Sequence, residues 1–265
     1  MGEGEATVLI TGASSGIGEA LAWVFAGHGH DLILVARNAD KLDQLADDLA
    51  NEHEVMVSVR PTDLSEPGSA ESLAKVLHRE GQAVDILVNN AGVLEHGAFI
   101  DIGPEDHQRM VQLNVAGFTD MLAQFVPDMV DRASGRVLNV SSIGAFQPVP
   151  SLATYAATKA YILSLSEALG EELRGSGVTV TALCPGLTHT HMLEDHLARN
   201  AVLKRLPAML VGDVETVAQE AFRACMKGAP VVVPGTLNLA GTLTARATPK
   251  WLVRRLIGLM GRSTL

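Results

Sequence analysis

The chain has 265 residues, 47% hydrophobic and 19% charged, with a mean hydropathy of +0.21. That composition excludes a disordered chain and implies a large core, which must be aliphatic because aromatics are only 4%. The formal net charge of −10 argues against nucleic acid as a partner, and the one basic patch is confined to residues 246–265, which carry five Lys/Arg and no Asp/Glu.

The opening stretch MGEGEATVLI has neither a basic n-region nor a long apolar run, so no secretory signal is expected. Short aliphatic runs then recur: Ala6–Ile10, Asp31–Ala36, Glu54–Val59, Asp85–Val88, Arg136–Val140, Val178–Leu183 and Val231–Val233. Over most of the length they are separated by segments long enough for a helix. Continuous apolar strands with helical crossovers predict a parallel sheet covered on both faces. The expected fold is therefore α/β, a doubly wound, Rossmann-type sheet of about seven strands.

The clearest helices carry their own signals. Gly16–Gly27 follows a turn. Ala39–Glu52 places Leu42, Leu45 and Leu49 on one face. Thr154–Gly175 ends at Gly175 and Gly177, and Asp213–Met226 begins on an N-cap aspartate. The stretch 188–212 fits no regular element; it is interrupted by Pro207 and mixes His, Met and Leu. Insertions after a strand end commonly form lids. One domain over residues 1–245 is predicted, followed by a basic amphipathic tail over 246–265. Cys184 and Cys225 both sit in apolar surroundings and read as buried free thiols, which fits a reducing, cytoplasmic compartment.

Two ends of the sequence carry chemistry. At the first strand–helix junction stands Thr11-Gly12-Ala13-Ser14-Ser15-Gly16-Ile17-Gly18. Glycines there permit a tight turn and let a pyrophosphate approach the backbone, while the helix N-terminus offers free N–H groups and a positive dipole end. The spacing is GxxxGxG rather than GxGxxG. The second strand ends at Ala36-Arg37-Asn38. A cofactor with a free ribose 2′-hydroxyl usually meets an acid at this point. Here Arg37 offers a guanidinium to a 2′-phosphate instead, and the strand end holds no carboxylate to repel it, which favours NADP(H) over NAD(H).

The other end is Tyr155-Ala-Ala-Thr-Lys159, with phenol and ammonium on one helix face. A neighbouring cation stabilises a phenolate. Thirteen residues before the tyrosine, Ser141 and Ser142 close the fifth strand, where ligands sit in open parallel sheets.

With these motifs in hand, the sequence resembles the short-chain dehydrogenase/reductase family. Thr11–Gly18, Asp63-Leu64, Asn89-Asn90-Ala91-Gly92, Asn114, Ser142, Tyr155/Lys159 and Pro185-Gly186 all occur in family order, over about residues 6–190. The resemblance implies an oxidoreductase that interconverts a carbonyl compound and an alcohol. Tyr155 would be its general acid/base, and Lys159 would hold the nicotinamide ribose and lower the Tyr155 pKa. Ser142 would orient the carbonyl, with Ser141 as the rival, and Asn114 would hold a water linking Lys159 to solvent. Asn114 also suits a helix kink. Cofactor contacts would come from Gly12, Ser14, Ser15, Gly16, Ile17, Gly18 and Arg37; from Asp63 and Leu64 flanking the adenine; from Asn90 and Gly92; and from Pro185, Gly186, Thr188 and Thr190 at the nicotinamide. The resemblance also implies a homodimer or homotetramer built on the helices Val115–Asp131 and Thr154–Gly175.

The lid supplies His191, Met192 and Leu193 as candidates for the substrate pocket; the competing reading is that its apolar side chains pack the lid onto the core. His189, His191 and His196 lack a nearby Cys or an obvious carboxylate geometry, so no metal is expected. The tail, Trp251–Met260, reads as a terminal helix packed on the body or a partner subunit; the competing reading is an interfacial helix on anionic lipid. Two other functions stay open at this point. One is a non-catalytic NADP(H)-binding redox sensor, which would not need Tyr155, Lys159, Ser142 and Asn114 together. The other is a membrane-associated reductase of lipid-like substrates, which rests on the tail alone.

Overall fold

Seven strands form one parallel sheet: β1 Thr7–Thr11, β2 Asp31–Ala36, β3 Val57–Pro61, β4 Ile86–Asn89, β5 Gly135–Val140, β6 Val178–Leu183 and β7 Val231–Val232. Their order is β3-β2-β1-β4-β5-β6-β7, and every neighbouring pair is parallel. The computed structural model describes residues 6–188, 212–235 and 238. Of the residues singled out above, the lid stretch 189–211, with His189, Thr190, His191, Met192, Leu193, His196 and Pro207, and the basic tail lie outside these.

Alternate residues of each strand point to opposite faces of the sheet. Leu9, Ile33, Val35, Leu87 and Val137 therefore enter one core layer, and Val8, Ile10, Leu32, Leu34 and Val88 the other. The second layer is covered by α1 (Gly16–Gly27), α2 (Ala39–His53) and α7 (Val214–Lys227). The first is covered by α3 (Ser69–Arg79), α5 (Phe118–Asp131) and α6 (Ala153–Glu172). Both faces being buried explains why the strands read as unbroken aliphatic runs. Cys184 and Cys225 are buried thiols outside any disulfide, and burial pushes the Cys225 thiol up to about 12.

Two elements differ from their expected form for identifiable reasons. The third strand begins at Val57 rather than Glu54, because Glu54 caps α2 in the left-handed region (φ 56°) and the Met56 N–H is taken by Asp31 Oδ1 at 2.8 Å. The helix expected from Val115 starts earlier. It enters as α4 (Pro104–Val111) and passes through a π-helical turn, Gln112–Gly117, into α5. A Cβ on Gly117 would lie 2.1 Å from the Leu64 carbonyl oxygen, so only glycine lets this turn press against the loop after β3. Single π-turns of this kind concentrate at functional sites.

Candidate active site

The strand order reverses between β1 and β4, and in such sheets ligands bind at the carboxyl ends beside that reversal. A cleft of about 890 Å³ opens there. Its walls include Gly12, Ser14, Ser15, Gly16 and Ile17 from the first turn, Arg37 after β2, Asp63 and Leu64 after β3, and Asn90 and Gly92 after β4. At the far end they include Ser142, Tyr155, Lys159, Pro185, Gly186 and Thr188. Gly18 and Asn114 do not line it; they stand behind it.

The glycine turn is built against β4. Gly12 has φ +66°, which glycine adopts without strain. Asn90 Nδ2 donates to the carbonyl oxygens of Thr11 (2.9 Å) and Gly12 (3.3 Å). The Thr11 hydroxyl accepts from the backbone N–H groups of Asn90 and Ala91, each at 2.9 Å. A Cβ on Gly18 would lie 2.3 Å from the Gly12 oxygen and 2.5 Å from Asn90 Nδ2, so α1 packs on the turn only with glycine at that position. The N-cap Ser15 makes no side-chain cap bond, and Ser15, Gly16 and Ile17 at this helix start line the cleft. A bare-backbone cradle at an uncapped helix start fits a nucleotide pyrophosphate.

Arg37 stands 66% exposed at the mouth of this end, with Asp63 Oδ2 at 3.9 Å. The end of β2 itself carries no carboxylate, but Asp63, on the loop after β3, reaches Arg37. Burial works to raise the Asp63 pKa but is outweighed by hydrogen bonds from the Ser65 hydroxyl and N–H and by the Arg37 charge, so the carboxyl stays ionised below its ordinary range. Between two groups this open to water the ion pair is loose, and Arg37 keeps donors for another anion.

At the other end, the two serines after β5 separate cleanly. Ser141 is buried, and its hydroxyl donates to the Lys159 carbonyl oxygen at 2.8 Å. Ser142 faces the cleft, as does Tyr155; the Ser142 Oγ accepts from the Gly144 N–H at 3.1 Å. Lys159 Nζ donates to the Val140 carbonyl oxygen at 2.8 Å and lies 5.7 Å from the centre of the Tyr155 ring. Where the resemblance implies a phenol drawn down by Lys159, burial dominates. It pushes Tyr155 up to about 12, against the opposing influence of the Ser142 hydroxyl. The same burial draws Lys159 down to about 8, with Cys184 opposing.

Asn114 is fully buried in the π-turn. Its Oδ1 accepts from the Val93 N–H at 2.9 Å, and its Nδ2 donates to the Val93 carbonyl oxygen at 2.8 Å and to Thr158 Oγ1 at 3.1 Å. The Thr158 hydroxyl in turn donates to the Tyr155 carbonyl oxygen at 2.8 Å. The loop after β4 is thus tied through one amide and one hydroxyl to the first turn of α6. Thr188 bridges to Gly212, and its hydroxyl donates to the Gly186 oxygen at 3.1 Å. Thr11, Ser141 and Thr158 carry this scaffold through partners distant in sequence. Among the described residues no group of three His, Cys, Asp or Glu could hold a metal ion, and no helix is long and apolar enough to cross a membrane.

Comparison with known proteins agrees with this geometry. The family model of short chain dehydrogenases matches residues 6–201. The oxidoreductase UcpA of Salmonella typhimurium is 39% identical over 190 residues, 71% of each chain. A short-chain dehydrogenase from Sphingobium yanoikuyae, solved with NADPH, superimposes with TM-score 0.81 at 35% identity, covering 96% of this chain and 95% of that one. The bulky-bulky ketone specific alcohol dehydrogenase from Comamonas testosteroni does so with TM-score 0.77 at 31% identity, covering 91% and 92%. With the motifs in register and the sheet in this order, the chain belongs to the short-chain dehydrogenase/reductase family of oxidoreductases.

Proposed function

We propose that this protein is an NADP(H)-dependent oxidoreductase that interconverts a ketone or aldehyde and its alcohol, with Tyr155 as general acid in reduction and general base in oxidation. The observation that carries the reading is that Ser142, Tyr155 and Lys159 line one cleft with the glycine turn and Arg37. The first turn of α1 holds the pyrophosphate, Arg37 the 2′-phosphate, Asp63 and Leu64 flank the adenine, and Asn90 and Gly92 line the adenosine ribose. Lys159 holds the nicotinamide ribose hydroxyls, and Pro185, Gly186, Thr188 and Thr190 take the nicotinamide end. The solved relatives that hold NADPH or NADP support that cofactor. The cofactor, when bound, supplies a hydride to the carbonyl carbon.

The chain's own residues handle the oxygen. Ser142 and Tyr155 hydrogen-bond the carbonyl oxygen and fix its orientation. A phenol held up at about 12 carries its proton at neutral pH, so Tyr155 enters reduction loaded. As the C=O double bond becomes a single bond, Tyr155 gives that proton to the oxygen and the alcohol is complete. Lys159, mostly cationic at pH 7 with its value near 8, stabilises the phenolate left behind. In oxidation the same steps run in reverse.

The test is NADPH oxidation followed by absorbance across a panel of ketones and aldehydes, with NADH alongside. Turnover that saturates at lower NADPH than NADH supports the reading. Saturation at lower NADH overturns the cofactor preference, and no turnover with any carbonyl compound overturns the activity. The homo-oligomer stands as a proposal too. Tyr161 on α6, 38% exposed, hydrogen-bonds Thr119 of α5 at 2.9 Å, and Val111 at the end of α4 is 46% exposed. Light scattering that returns a monomer mass removes it.

A further inference from the structure

The helix that carries Tyr155 begins without a side-chain cap. Its N-cap residue is Leu152, which has no polar side chain to offer, and Tyr155 follows in the first turn of α6. Helix ends fray unless something outside them holds the first turn. Thr154, next to Tyr155, makes such an outside contact. Its Oγ1 lies 2.8 Å from Nδ1 of His107 on α4. The other ring nitrogen, Nε2, lies 3.1 Å from the Phe99 carbonyl oxygen. A carbonyl only accepts, so Nε2 is the donor there; in the neutral ring Nδ1 then accepts from the Thr154 hydroxyl. The imidazole also stacks on the Phe99 ring, with centroids 4.3 Å apart and planes at 27°. One side chain of α4 thus joins the start of α6 to the 3₁₀ turn Phe99–Asp101, which follows the loop after β4.

That loop borders the cleft, where Val93, Leu94 and His96 line it. It is tied twice more. Glu95 pairs with Arg109 of α4 at 2.6 Å, and the Gly97 N–H donates to the Ser151 carbonyl oxygen at 2.9 Å, just before α6. Thr154 and Thr158 have i, i+4 spacing and share one face of α6. Thr158 meets Asn114, and Thr154 meets His107. Neither His107 nor Thr154 is among the described residues that line the cleft.

Resting on the reductase reading above, we propose that His107 is a positioning residue for the reaction. Through Thr154 it fixes the first turn of α6, and through Phe99 it fixes the loop after β4. Tyr155 and that side of the cleft therefore keep one register. His107 touches neither the glycine turn nor Arg37, so its loss slows the chemical step and leaves NADPH binding in place.

The experiment uses the full-length protein, NADPH and a ketone that the parent reduces. His107→Phe keeps a ring to stack on Phe99 and removes both hydrogen bonds. His107→Gln keeps one donor and one acceptor in a planar group. Single-turnover NADPH oxidation should slow about tenfold in His107→Phe and in Thr154→Val, with the NADPH Kd by fluorescence within about twofold of the parent. The double variant should be no more than about twofold slower than the slower single one, because both changes cut the same contact. His107→Gln should return to within about threefold of the parent rate. A phenylalanine variant as fast as the parent overturns the proposal. So does a glutamine variant as slow as the phenylalanine, or losses that multiply in the double variant. If a thermal melt shows that His107→Phe does not fold, Thr154→Ser against Thr154→Val decides. Serine keeps the hydroxyl and should keep the rate; a serine variant as slow as the valine, or a valine variant as fast as the parent, overturns the proposal. All these outcomes leave the reductase reading standing. A parent that turns over no carbonyl compound removes that reading and the proposal with it.

Discussion

Thr158→Val isolates the scaffold behind the tyrosine. Thr158 is only 3% exposed, and its hydroxyl sits between Asn114 Nδ2 at 3.1 Å and the Tyr155 carbonyl oxygen at 2.8 Å. Valine keeps the shape and replaces the hydroxyl with a methyl. Two hydrogen bonds are lost, at about 1 kcal/mol each. Asn114 Nδ2 keeps Val93 but turns one N–H onto that methyl, an unsatisfied donor worth about 1–3 kcal/mol. The buried methyl returns about 0.8 kcal/mol. The net loss is about 2–4 kcal/mol, or roughly 4–16 °C in Tm for a chain of this size. The first turn of α6 then holds Tyr155 less firmly, and kcat should fall about tenfold while NADPH affinity barely moves. Thermal melts and steady-state kinetics read both effects. Thr158→Ser restores both hydrogen bonds and should restore kcat. A valine variant as stable and as fast as the parent would refute the idea that this relay positions Tyr155. So would a serine variant as slow as the valine.

Other consequences follow from the same geometry. Arg37→Ala should weaken NADPH binding about 10- to 100-fold, the loss of charge-assisted hydrogen bonds, and leave NADH binding nearly unchanged; equal losses for both cofactors in a fluorescence titration would contradict the role given to Arg37. Because burial draws Lys159 down to about 8, its charge is lost as pH rises through that value, so kcat/KM for carbonyl reduction should fall above about pH 8. A profile flat to pH 10 would remove Lys159 from that limb. His30 is 1% exposed against Phe25 and Phe222, and neither ring nitrogen makes a hydrogen bond of normal geometry. Burial lowers its pKa, with His28 and Arg136 in the same direction and the Ala6 backbone and Asp31 opposing. Below the ordinary imidazole value of 6.5 the unfolded chain therefore binds the extra proton and the folded one resists it, so stability falls with pH by up to about 1.4 kcal/mol per unit. Urea denaturation of His30→Phe should show a shallower acid slope than the parent, and identical slopes would reject the assignment.

The legible part of this protein was whatever a local pattern encodes. Strands β2 and β6 run Asp31–Ala36 and Val178–Leu183, the ranges their aliphatic runs predict, because a strand buried on both faces admits few polar residues. Helix α1 starts and stops at its own glycines. The third strand misled because a left-handed cap at Glu54 delays it, and a non-glycine residue gives no signal for that. The π-turn at Asn114 was hidden for a similar reason: it is held by contacts from Asn114 to Val93 and from Gly117 to Leu64, far apart in sequence. The site shows the same division. Tyr155 and Lys159 share one helix and announce themselves through i, i+4 spacing. Thr11, Ser141 and Thr158 act through partners 79, 18 and 44 residues away, and the approach of Asp63 to Arg37 depends on two loops meeting.

The central claim is that Tyr155 delivers the proton in carbonyl reduction, and Tyr155→Phe tests it most directly. The change removes one hydroxyl from the cleft and leaves the glycine turn, Arg37 and Lys159 in place. NADPH affinity should stay within about threefold of the parent by fluorescence titration, while the single-turnover rate of NADPH oxidation with a ketone should drop about a thousandfold. A phenylalanine variant that binds NADPH normally and keeps a tenth or more of the parent's rate would contradict the account.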